Sequence, residues 1–183
     1  MNLTIFGYFD EVQNRYSERY QFVEMLLLSS MGFLISFTLG HPQLLVGAVV
    51  NAFLIRSALS LKSHKVLPII FTPALGALAR GILFGPFTVF LVYLLPFIWA
   101  GNLILVCFFK MKIRNKYNYL ATLLAGSLAK AGFLYGAAFV LYSTSVIPSV
   151  FLTAMGSIQL TTAILGGVLV YSELKAEEFF VRR

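Results

Sequence analysis

Apolar residues along this chain fall into six runs, at 20–39, 42–61, 66–84, 87–109, 119–142 and 146–171. Each run is long enough to cross a bilayer as a helix, which takes about 17–25 residues. The turns between them alternate in charge. Arg15 and Arg19 precede the first run, Lys62 and Lys65 follow the second, and Lys110, Lys112, Arg114 and Lys116 follow the fourth. Lys175, Arg182 and Arg183 follow the sixth, whereas the turns at 40–41, 85–86 and 143–145 hold no Lys or Arg. Basic residues collect on the cytoplasmic side of short loops. The pattern therefore predicts an all-α integral membrane protein with six transmembrane helices and both termini in the cytoplasm. Residues 1–19 read as an interfacial segment, 20–171 as the membrane domain and 172–183 as a short cytoplasmic tail.

Composition sharpens this reading. The 183 residues are 59% hydrophobic and 11% charged, with a mean hydropathy of +0.86, whereas a soluble domain carries about 25% charged residues. The net charge of +7 belongs to topology-setting turns rather than to a nucleic-acid surface, so no nucleic-acid partner is expected. A solitary Cys107 supports neither a disulfide nor a metal cluster. The first 21 residues carry three acids and no small-residue cleavage site follows, so no cleavable signal is expected.

Within the runs, isolated polar residues stand out. Arg80 interrupts GALARGILF and Lys130 interrupts GSLAKAGFL, while every Asp and Glu lies before residue 25 or after residue 172. A mid-helix Arg or Lys in hydrocarbon costs about 2.5–3.5 kcal/mol on the mildest scale. Asn51, Asn102 and Gln159 fall at similar depth on three further runs. Such groups avoid lipid and face the bundle interior, so a ring of them predicts a polar cavity. Two readings of the cations are open. They face a bound anion, or they bond to carbonyls freed by Pro68, Pro73 and Pro96. For the three amides, contact between helices competes with ligand contact. Arg56, near the end of its run, is expected to snorkel to the headgroups, with Glu24 close enough to pair with it.

Tyr93, Trp99 and Tyr135 lie deeper than an interfacial belt and are candidates to pack against a ligand. Gly32, Ser36 and Gly40 repeat every four residues along the first run. Small residues at that spacing let another backbone come close, either a helix of the same chain or another subunit.

The segments HPQLLVGAVVNAFL, LPFIWAGNLILV, LAKAGFLYG and MGSIQLTTAILGG resemble those of a prokaryotic group of small membrane proteins with the fold of the substrate-binding S component of energy-coupling factor transporters. The resemblance implies a vitamin-like micronutrient held in an outer-half cavity. It also implies docking through Gly32, Ser36 and Gly40 onto a membrane scaffold driven by ATPase subunits. Members that bind cobalt or nickel begin Met-His; this chain begins Met1-Asn2, and no metal or other cofactor is expected.

Enzymatic readings lack their residues. The runs contain no carboxylate pair and no Ser/His couple, and no GxxxxGK[ST] motif is present for ATP hydrolysis. The expectation is a non-enzymatic substrate-binding subunit of the cell membrane for uptake of a small anionic or polar solute. Lys130 and Arg80 would hold the anion, Asn51, Asn102 and Gln159 would orient it, and Tyr93, Trp99 and Tyr135 would pack its body. The alternative is a non-transporting assembly or anchor subunit of a larger complex.

Overall fold

The computed structural model describes residues 10, 12–13, 16–39, 42–84 and 88–181. The described residues form helices and no strand: α1 (Glu18–Thr38), α2 (Gln43–Ser60), a 3-10 turn (Ser63–Val66), α3 (Leu67–Phe84), α4 (Thr88–Asn115), α5 (Tyr119–Ser143), α6 (Val150–Met155) and α7 (Ser157–Val181). Among the described residues, five segments are long and apolar enough to cross a membrane, namely Glu18–Thr38, Gln43–Ser60, Val89–Asn115, Tyr119–Ser143 and Val150–Phe180. The chain is thus built as a multi-pass membrane protein. Gly40, His41 and the turn at 85–87 lie outside the described residues, as do most of residues 1–15 and the final two.

Local chemistry sets the helix ends. Ser17 caps α1 by accepting from the Tyr20 amide at 3.3 Å, with Glu18 in the first turn, where the helix dipole favours an acid. Asn118 caps α5 by accepting from the Leu120 and Ala121 amides. The chain reverses just before it through Lys116 at φ 56°. Pro68 lies in the first turn of α3, where its missing N–H removes no helical bond, so it does not interrupt that helix. Pro73 and Pro96 lie inside α3 and α4.

The helices pair out of chain order. α1 and α3 run parallel in close contact, and a Cβ on Gly76 would fall 2.3 Å from the Phe33 carbonyl oxygen. α2 and α7 form a second parallel pair, in which a Cβ on Gly166 would fall 2.6 Å from the Ala48 carbonyl. Only glycine permits backbones this close. The α4–α5 hairpin closes the bundle, with Trp99 and Asn102 of α4 reaching the Phe71 and Ile70 carbonyls of α3.

One end of the bundle carries Lys62, Lys65, Lys112, Arg114 and Lys116 and is called the basic end here. The half next to it holds Leu54, Ile55, Leu61, Ile69, Leu105, Val106, Phe109 and Leu123 in one buried cluster, with a cavity to one side lined by Glu24, Leu28, Phe53, Arg56 and Glu173. Toward the other end, a smaller cluster of Leu94, Leu134, Ala138, Ile147, Phe151 and Met155 fills the space among α4, α5 and α6.

Several sequence expectations change. α4 continues to Asn115, so Lys110, Lys112 and Arg114 ride on a helix rather than in a loop. Lys110 is only 1% exposed and donates to the Leu61 carbonyl at 2.6 Å. That oxygen ends α2, where the helix dipole favours a cation. The sixth run breaks at Gly156 into α6 and α7, and α7 then runs unbroken to Val181, absorbing the tail. Arg56 does not snorkel. It pairs with Glu24 at 3.2 Å, Glu173 at 3.4 Å and Glu177 at 3.3 Å, because α1 and α7 bring three carboxylates to its side of α2. In the described part of the amino-terminal segment, the Gln13 amide donates to the Leu59 carbonyl.

Candidate functional site

Lys130 lies midway along α5 with 2% of its surface exposed. Its ammonium donates to Asn51 Oδ1 at 2.6 Å and to Asn102 Oδ1 at 2.8 Å. Both asparagines are held with that oxygen forward. Asn51 Nδ2 donates to the Gly47 carbonyl at 2.8 Å and to Thr162 Oγ1 at 3.2 Å. Asn102 Nδ2 donates to the Ile70 carbonyl of α3 at 3.0 Å. Three helices, α5, α2 and α4, therefore meet at one ammonium, and two more, α7 and α3, hold the asparagines in place. An ammonium has three donors, and the third finds no acceptor among the described residues.

A cavity of about 270 Å³ lies against this centre, lined by Lys130, Asn51, Asn102, Gln159, Arg80, Gln43 and Ser36, with Val46, Val50, Ala77, Leu91, Ile98 and Met155 among its apolar walls. It reaches from the exposed Gln43, at the start of α2, down to the Lys130 level. Below that level is the packed cluster of the basic half. The cavity is thus blind at one end.

Arg80 belongs to the opposite rim. Its Nη1 donates to the Phe37 carbonyl at 3.2 Å and the Thr38 carbonyl at 2.6 Å. These are last-turn carbonyls of α1, which have no helical donor of their own. A guanidinium carries five N–H groups, and those on Nε and Nη2 find no acceptor among the described residues. Both cations are held by neutral oxygens, and among the described residues neither has a carboxylate within ion-pairing distance. Their positive charge is spread by hydrogen bonds without being cancelled.

The structure thus gathers five of the expected site residues, Lys130, Arg80, Asn51, Asn102 and Gln159, around one cavity. It does not bring the three aromatics there. Tyr93 is 51% and Tyr135 is 46% exposed on the outer surface, and the Tyr135 ring stacks along Phe139. Trp99 donates through Nε1 to the Phe71 carbonyl and meets the Phe71 ring edge-on at 5.0 Å. Depth along a helix was the only sequence signal for these three, and depth does not fix the face.

Gly32 and Ser36 are buried between α1 and α3, where a Cβ on Gly32 would lie 3.1 Å from the Pro73 ring. The small-residue stripe serves a contact within the chain, and Ser36 lines the cavity; Gly40 lies outside the described residues. Sequence reasoning missed Gln43 and Met155. The spacing of 43, 47, 50 and 51 on one helical face was the available signal for Gln43. Compared with known families, curated proteins and solved structures, the chain finds no match.

Proposed function

We propose that this chain is a non-catalytic, membrane-embedded binding subunit that captures a small anionic or polar solute for uptake and relies on partner subunits for energy. The carrying observation is the blind cavity with two cations, Lys130 and Arg80, and no carboxylate of the described chain to balance them. Charge buried in this way favours a counter-ion, because desolvated cations without an opposite charge are costly. The buried cluster directly beneath the cavity argues for capture from one side rather than for a pore. In this reading α1, α2, α3, α4, α5 and the α6–α7 segment all cross the bilayer, with the basic end in the cytoplasm and the cavity open to the outside of the cell membrane. The likeness to S components supports a vitamin-sized cargo and ATPase-driven partners. With Gly32 and Ser36 engaged by α3, such a scaffold docks on a different face. An anchor-subunit role, with a partner's acid meeting Lys130, has less support because that ammonium reaches the cavity and not the outer surface.

The test is direct. Full-length protein in lipid nanodiscs is analysed by native mass spectrometry for a co-purifying small anion. Lys130→Ala should lose that species. Asn102→Asp should lose it too while remaining folded, because the new carboxylate supplies the missing charge. An anion retained undiminished in both variants would reject the site.

A further inference from the structure

The proposed uptake role leaves the shape of the solute open, and the two cations constrain it. They lie at different depths. Asn102, which holds Lys130, is anchored to the Ile70 carbonyl, and Arg80 is ten residues further along α3, a rise of ~15 Å. On α2, Gln43 at the rim and Asn51 at the floor are eight residues apart, or ~12 Å. Between these levels the wall is apolar, from Val46, Val50, Ala77, Leu91 and Ile98. Among the described residues, one Lys130 donor and the Gln159 amide have no partner at the floor, and the Arg80 Nε and Nη2 donors and Gln43 have none at the rim.

Resting on the binding role proposed above, we infer that the cavity takes a linear, two-headed solute, with a carboxylate at the Lys130 floor, a second acceptor at the Arg80 rim and an apolar body between. A compact anion fills only one head site and leaves the apolar wall and the other cation unmatched. A two-headed chain satisfies both cations and removes apolar surface from water, which contributes roughly 25 cal/mol per Å² buried. The required span between heads is on the order of 10 Å once contact distances at both ends are allowed for.

The experiment uses the full chain in nanodiscs and four probes: azelate, nonanoate, succinate and inorganic phosphate. Azelate with its carbon chain fully staggered is on the order of 10 Å between carboxylates. Binding is read by isothermal calorimetry. Azelate should bind roughly ten-fold or more tighter than succinate or nonanoate, each of which forgoes one head or the body. Arg80→Gln should bring azelate down to the nonanoate level and leave nonanoate unchanged. Gln43→Leu, a milder rim variant, should weaken azelate alone and covers the case in which Arg80→Gln fails to fold. Succinate or phosphate matching azelate would overturn the two-headed solute while leaving an anion site at Lys130 intact. Nonanoate matching azelate, with neither rim variant affecting either probe, would overturn it as well. No binding by any of the four would sink the uptake reading along with it.

Discussion

At Lys130 the protein handles a buried ammonium without an acid. Two carboxamide oxygens face it, and each carboxamide is turned by bonds on its nitrogen side, from Asn51 to Gly47 and Thr162 and from Asn102 to Ile70. Removing one oxygen leaves a charged donor unmatched, a loss of about 2–3 kcal/mol. Asn102→Leu should therefore lower the melting temperature clearly. Combined with Lys130→Met, the same change should cost less than the sum of the two single variants, because the group left unmatched is gone. Strict additivity in thermal denaturation of the four proteins would show that the pair does not interact. Sequence made the depth of Lys130, Asn51 and Asn102 legible, because helical rise fixes depth. Their mutual bonds were not legible, since they depend on how the helices rotate against one another. Lys110 was hidden for a different reason: a cation next to other cations reads as a turn, yet its ammonium ends α2.

Among the elements, the two parallel pairs set the geometry of the cavity. Gly76 lets α3 slide against Phe33 of α1, which brings Arg80 to the α1 carbonyls. Gly166 does the same for α7 against α2, setting Thr162 beside Asn51. Gly76→Val should force α1 and α3 apart, destabilising by about 1–3 kcal/mol, the usual range for overpacking. Gly132→Ala, whose Cβ meets nothing within 4 Å, is the matched control and should be neutral or mildly stabilising by helix propensity. Melting curves of the two variants in one detergent check this, and equal melting temperatures would contradict the close approach. The stripe of Gly32 and Ser36 announced such an approach in the sequence. Periodicity could not name the partner, because α3 and a foreign helix demand the same small residues.

For the whole molecule, apolar run length made the helical plan readable, since crossing a bilayer imposes a minimum length that few other folds share. The break at Gly156 and the continuation of α4 and α7 past their apolar runs were not readable, because helices extend into water wherever polar residues still bond along them. Orientation is checkable by cysteine labelling. In a Cys107→Ser background, a cysteine at Lys116 should resist a membrane-impermeant maleimide added to intact cells, and one at Ser145 should react. The reverse pattern would invert the proposed topology.

The dense packing of Leu54, Ile55, Leu105, Phe109 and Leu123 beneath the Lys130 level makes the cavity a cul-de-sac. If the chain takes up a solute as proposed, that solute leaves by the way it came unless those side chains are parted, and the parting calls for work done by another molecule.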